Sequence, residues 1–387
     1  MTTPDELAQK AAARAQLDDF AGDSWREGLS ILVDTLETFP GVQESGRRFF
    51  YGMVVDALWN RLRVVDHAKR HPESLRERIE RPLVILGMPR TGTTVASYLL
   101  DQDPRRRSLL HWEARDSVPP ATTETLRTDP RCLARKEALD QAARAIEAAG
   151  QGFSHWEDAD GPTECIFVQN QDFRALVWDA WMPDARYSDW LLGADMTSTY
   201  AYHKRVLQIL QSNAPGTWSL KMPSHAVHIE TLLATYPDVR IVWAHRDPFR
   251  ATASLCSIQV QPKGMTLGSA LDLRSIAPVA ISQMRAHVER ALRARGRIGA
   301  QRFFDLHYAD LMRDPIGEMR RLYAWAGDEL ATEVEQRMKD WLARNPQDRF
   351  GARPYSFAQF GLTRRQLEPV FEEYLAEFAI ELEPMQA

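Results

Sequence analysis

Leu83-Val84-Ile85-Leu86-Gly87-Met88-Pro89-Arg90-Thr91-Gly92-Thr93-Thr94 decides how this chain is read. The four leading apolar residues read as a short buried strand, and the apolar spacing from Val95 to Leu100 suits a helix. A strand that enters a tight glycine turn and leaves as a helix aims several backbone N–H groups, with the positive end of the helix dipole, at one spot. That spot favours an anion. The spacing nearly matches the nucleotide-binding loop G-x-x-x-x-G-K-[ST], with Thr93 in place of the lysine. Without that lysine a β/γ-phosphate loses its usual counter-charge, so an ATP or GTP reading weakens while a phosphate cradle survives. Arg90, inside the turn, supplies a cation that meets phosphate or sulfate oxygens from the side.

Outward from this stretch, the chain alternates strands and helices. Trp218 to Lys221 reads as a strand, Val227 to Tyr236 as a helix stopped by Pro237-Asp238, and Arg240 to His245 as another buried strand. Strand, helix, strand implies a parallel sheet with a right-handed crossover. The loops at the carboxyl ends, Gly87 to Thr94, Lys221 to His225 and Arg246 to Arg250, then converge on one crevice. Arg302 to Tyr308 reads as a further strand. Before the glycine turn, Trp25, Leu29, Leu32 and Leu36 share one helical face, and a second amphipathic stretch runs from about Val42 through Leu62. Ser108 to Glu113 reads as a short strand with His111 and Glu113 on one side. Arg105, Arg106 and Arg107 before it read as a solvated turn. The fold class is therefore α/β, a P-loop-type parallel sheet flanked by helices. Residues 1–80 form a helical N-terminal extension, 81–330 the α/β core, and 331–387 a helical C-terminal extension and lid.

Composition narrows the function. At 387 residues, 44% hydrophobic and 26% charged, the chain is that of a globular protein with a sizeable core. A net charge of -5 argues against general nucleic-acid binding, because a polyanion meets net repulsion away from any local basic site. Cys132, Cys165 and Cys256 are widely spaced with no C-x-x-C pair, which points to neither a disulfide framework nor a zinc site and favours a reducing, cytoplasmic setting. His155, Glu157, Asp158 and Asp160 lack metal-ligand spacing and read as solvated acids. No apolar run is long enough for a membrane span.

The segment PRTGTT, followed downstream by His245-Arg246-Asp247-Pro248 and by Ser254 eight positions after the arginine, resembles the sulfotransferases that use 3′-phosphoadenosine 5′-phosphosulfate. The likeness is to a bacterial branch whose loop reads PR[ST]GTT, and it covers roughly residues 80 to 365. It implies that Arg90, Thr91, Gly92, Thr93 and Thr94 hold the 5′-phosphosulfate and that Arg246 and Ser254 hold the 3′-phosphate, with Tyr308 beside the nucleotide. It implies no metal or redox cofactor. Lys221 stands where the family has its second catalytic lysine, so Arg90 and Lys221 are the cations for the leaving oxygen. For the base that takes the acceptor's proton, Glu113 is preferred and His111 stays open beside it. His225 is a second-rank neighbour of the acceptor. Arg349 and Arg353 are candidates to close over the donor, although this chain lacks the histidine that the branch often carries between Gly351 and Tyr355.

The aromatic stretch around Trp178, Trp181 and Trp190 lies where the family builds its acceptor pocket, so a small-molecule or lipid acceptor is expected. A homo-oligomer stays open. Two other readings compete. A P-loop kinase needs Mg²⁺ and the missing lysine; a non-catalytic nucleotide-binding protein keeps both anion clamps but needs neither Lys221 nor Glu113. All of this requires that the anion sites at Arg90 and Arg246 lie close enough to grip two ends of one nucleotide.

Overall fold

Five parallel strands carry the architecture of the computed structural model, which describes residues 1–148, 158–346 and 355–383. They are β1 (Leu83–Gly87), β2 (Arg106–Ser108), β3 (Thr217–Lys221), β4 (Arg240–His245) and β5 (Phe303–His307), in the sheet order β2-β3-β1-β4-β5. Strand β1 lies in the middle and pairs in register with β3 on one side (Leu83↔Ser219) and β4 on the other (Leu83↔Arg240). Its continuous apolar run is explained by burial on both faces. Alternation sends Val84 and Leu86 into the larger core with Trp243, and Leu83 and Ile85 into the opposite one with Val242 and Leu306.

The helices, in chain order, begin with α1 (Pro4–Ala15), α2 (Ser24–Thr38), α3 (Glu44–Arg70), α4 (Thr93–Leu100), α5 (Pro130–Ala148), α6 (Ile166–Gln169), α7 (Arg186–Gly193) and α8 (Thr197–Asn213). They continue with α9 (Ile229–Thr235), α10 (Pro248–Leu267), α11 (Ile276–Ile298), α12 (Tyr308–Arg313), α13 (Pro315–Ala326), α14 (Thr332–Arg344) and α15 (Arg364–Phe378). Helices α1 to α3 bring Leu7, Trp25, Leu29 and Phe50 into the same apolar cluster as Trp243, Met284 and Phe371. The N-terminal helices thus share the larger core of the sheet.

Helix α2 approaches the chain at Phe173 so closely that only glycine fits. A Cβ on Gly28 would lie 2.1 Å from the Phe173 carbonyl oxygen and 3.0 Å from the Trp190 ring. Alanine would otherwise favour the helix by about 1 kcal/mol, so the sign is decided by the clash. Gly28→Ala is expected to lower stability by about 2 kcal/mol, read as a fall in the urea midpoint; an unchanged or higher midpoint would contradict the close approach.

Two expectations need correction. Strand β2 ends at Ser108, and residues 111–115 form a turn, so His111 and Glu113 are not on a strand. Nor are the arginines all solvated. The Arg106 side chain is buried against Asp103 and Asp328, with its guanidinium over the Tyr323 ring, and Arg107 is buried against Glu113 and over Trp218. A charge run in sequence reads as surface, but here carboxylates from distant segments and aromatic faces replace the lost water.

Candidate active site

Four of the five strands end at one cavity of about 660 Å³. The loop after β1 brings Arg90, Gly92, Thr93 and Thr94 to its wall, β3 leads to Pro223 and Ser224, β4 to Arg246, and β5 to Tyr308. Two sites predicted from segments far apart in sequence are therefore adjacent. Arg246 donates from Nη1 to the Arg90 carbonyl at 3.1 Å, and Arg90 donates from Nε to Ser254 Oγ at 3.0 Å. One nucleotide can bridge them.

The loop's conformation is set by two left-handed positions and one buried hydroxyl. Gly92 has φ +85° and a Cβ there would strike the Tyr308 ring at 2.8 Å, so glycine lets Tyr308 lie against the turn. Arg90 holds φ +72° without that freedom, a conformation non-glycine residues keep where surrounding contacts over-determine it. Thr91 is buried, and its hydroxyl donates to the Met88 carbonyl at 2.8 Å. It closes the turn and does not face the cavity.

Helix α4 starts at this turn without a side-chain cap, so its first N–H groups remain for a ligand. The charges agree. Among the described residues no carboxylate pairs with Arg90, and burial first, then the like charge of Arg246, pull its guanidinium below the usual range. Burial also works against the Arg246 charge, but the bond to Glu383 and neighbouring phenols outweigh it and leave that guanidinium above its usual range. Arg250 lies near Glu383, at 3.5 Å, while its Nε and Nη1 have no hydrogen-bond partner. Uncapped N–H groups beside three arginines and one carboxylate fit a multiply charged anion.

Lys221 is buried, its Nζ 3.5 Å from Thr94 Oγ1 and 3.4 Å from Glu164 Oε1. Glu164 was missed in the sequence as a site residue. It lines the cavity, and a parallel bridge to Lys221, closed by the Cys165 N–H on the Lys221 carbonyl at 3.0 Å, fixes it there. The predicted bases sit elsewhere. Glu113 is fully buried, its carboxylate bonded to Arg107 and to the Leu110 N–H. His111 is buried edge-on to Phe167, behind the cavity wall that Phe167 forms. His225 is also core, its Nδ1 2.7 Å from the Tyr200 hydroxyl. Arg349, Gly351 and Arg353, and His155 and Glu157, lie outside the described residues.

Apart from Gln259, Gln261, Gln283 and His287, the rest of the cavity is largely apolar, with Phe49, Met53, Phe167, Trp181, Leu255 and Met265 in its wall. Trp178 and Trp190, expected at the acceptor, are not part of it. Trp178 is buried on Phe173, and Trp190 donates to Glu27.

The profile of the sulfotransferase family matches residues 82–332, which covers every strand and all four loop ends. The chain belongs to the sulfotransferase family. Among solved structures, this sulfotransferase is 52% identical to sulfotransferase STF9 from Mycobacterium avium, over 99% of this chain and 98% of that one, with a TM-score of 0.93. It is 29% identical to STF1 from Mycobacterium tuberculosis H37Rv, over 96% and 99%, with a TM-score of 0.85. It is also 29% identical, over 128 residues, to the omega-hydroxy-beta-dihydromenaquinone-9 sulfotransferase Stf3 of Mycobacterium bovis. That match covers 32% of each protein, so the chain spans about a third of this curated relative.

Proposed function

We propose that this sulfotransferase moves a sulfuryl group from 3′-phosphoadenosine 5′-phosphosulfate to a hydroxyl of an apolar acceptor. The observation that carries the reading is the meeting of an uncapped helix start, Arg90 and Arg246 with the Lys221–Glu164 pair at one apolar cavity. The loop N–H groups, Arg90, Thr93 and Thr94 hold the 5′-phosphosulfate; Arg246, Arg250 and Ser254 hold the 3′-phosphate; Tyr308 supports Arg246 from below, its ring 4.0 Å from the guanidinium.

Sulfuryl transfer is an in-line displacement, so the protein mainly positions the reactants and stabilises charge. Lys221 and Arg90 meet the negative charge that builds on the leaving phosphate. Glu164 takes the acceptor's proton. Its place next to Lys221 aligns the base with the cation that serves the leaving group; Glu113, held by Arg107, and His111, packed on Phe167, are not in the cavity lining. Phe49 and Met265 are among the large apolar residues left exposed, and both belong to the cavity. An acceptor with an apolar body covers them. The hydroxylated menaquinone in the Stf3 relative's name is of that chemical kind.

Calorimetric titration tests the donor. Adenosine 3′,5′-bisphosphate is expected to bind at least about tenfold more tightly than ADP with Mg²⁺, since the 3′-phosphate adds charge-assisted hydrogen bonds. Mass spectrometry of a phenol incubated with the donor and the protein is expected to find the sulfate ester. Tighter binding of ADP, with phosphorylated product from ATP, would establish the kinase reading in its place.

A further inference from the structure

The apolar end of the active-site cavity is a shared wall. Phe49, Met53, Phe167, Val177 and Trp181 line that cavity and also a second one, of about 780 Å³, beside α3 and α5. None of the five is fully buried. Phe49 is 49% exposed, and its ring stacks on Trp181 with centroids 5.3 Å apart. Apolar side chains that border two cavities leave surface open to both, and a ligand confined to the first covers only one of the two faces.

The second cavity is also distinct in charge. Among the described residues five arginines and two aspartates line it, in a chain whose net charge is -5. Asp56 answers Arg14 at 2.5 Å, and Asp116 lies 3.7 Å from Arg131. No carboxylate among the described residues forms an ion pair with Arg48 or Arg135; burial holds the Arg135 guanidinium below its usual range, and the Asp56 charge only partly offsets it. Arg115 places its guanidinium 3.8 Å from the centre of the Phe167 ring, so cationic charge begins at the shared wall itself. An apolar wall that opens onto surplus positive charge matches an apolar chain that ends in an anion.

We propose that the acceptor is an anionic amphiphile that occupies both cavities: its hydroxyl reaches Glu164 in the first, its apolar chain crosses the wall at Phe49 and Trp181, and its anionic group lies in the arginine-lined second. This rests on the sulfuryl-transfer reading and specifies its substrate class, a long-chain alcohol with an anion at the far end. The second cavity then selects by length and by charge. A chain too short to cross strands its anion against apolar side chains, which costs desolvation, and a neutral chain leaves the arginine surplus unanswered.

The test uses the full chain, the phosphosulfate donor, and straight-chain ω-hydroxy acids of graded length paired with plain alkanols of the same length, each kept below its critical micelle concentration. Short acids are expected to be poorer acceptors than their alkanols. At the length that bridges the cavities the order reverses, and the acid exceeds the alkanol about tenfold or more in kcat/KM, through KM with kcat little changed. Gly52→Phe and, separately, Ala138→Phe fill the second cavity from positions that do not line the first, and a Cβ on Gly52 meets nothing within 4 Å. Each is expected to cut the turnover of the bridging acid about tenfold relative to the same variant's turnover of a short alkanol. Arg48→Gln combined with Arg135→Gln brings the acid-to-alkanol ratio at that length towards one. If no length in the unaltered protein makes the acid the better acceptor, the proposal is overturned. A reversal that persists in the filled variants and in the arginine variant also overturns it, because the anion is then held elsewhere; if one filled variant fails to fold, the other and the unaltered series still decide. Absence of sulfate ester from every alcohol and from a phenol is a different result and counts against the sulfuryl-transfer reading itself.

Discussion

Replacing Glu164 by glutamine is expected to lower kcat about a thousandfold, the span of a lost general base, while adenosine 3′,5′-bisphosphate binding stays within about twofold. The amide keeps the shape of the side chain and its reach to Lys221, at 3.4 Å, but has no lone pair basic enough to take the acceptor's proton. Donor affinity comes from other groups, the α4 start and the arginines. Rapid mixing with a phenol and the phosphosulfate donor, alongside calorimetry with the bisphosphate, separates the two effects. Glu113→Gln supplies the contrast. Its carboxylate answers the buried Arg107, and breaking a buried pair by removing one partner costs about 3–5 kcal/mol. That variant is expected to lose stability in a urea titration and to keep the kcat of whatever fraction stays folded. Turnover retained by Glu164→Gln and abolished by Glu113→Gln in folded protein would reverse the assignment.

The difference between the two glutamates also marks how far the sequence could be read. Local chemistry was enough for the sheet, because an unbroken run such as Leu83 to Leu86 next to a glycine turn is specified within a few residues. Strand ends then located Arg90, Lys221 and Arg246, since a parallel sheet sends the ends of its strands to one side. Glu113 had only its neighbours to recommend it, and the Arg107 that consumes its charge comes from an arginine run that read as surface. Glu164 had no local mark at all. It becomes a site residue through a single-residue bridge to Lys221, a pairing across 57 positions that no periodicity records.

Arg246→Ala is expected to weaken binding of adenosine 3′,5′-bisphosphate about a hundredfold or more, because a bidentate, charge-assisted contact to phosphate is lost from a half-closed site. Binding of adenosine 5′-phosphate, which lacks the 3′ group, is expected to fall only about threefold or less, since the Arg90 end of the site is untouched apart from the bond to its carbonyl. This pairing of ligands assigns the loss to one end of the nucleotide. Glu383 sharpens the prediction. Its carboxylate now accepts from Arg246 Nε and Nη2 at 2.6 and 3.0 Å, with its own N–H on Asp247 at 2.7 Å. A phosphate that takes the Arg246 fork must displace that carboxylate or share the guanidinium with it. Glu383→Gln removes the competing charge and is expected to tighten the bisphosphate about threefold to tenfold, with no such gain for adenosine 5′-phosphate. If Arg246→Ala weakened both nucleotides equally, the arginine would be bracing the β1 loop through the Arg90 carbonyl and the 3′-phosphate would lie elsewhere. If Glu383→Gln loosened the bisphosphate, the carboxylate would be orienting Arg246 for the phosphate instead of opposing it.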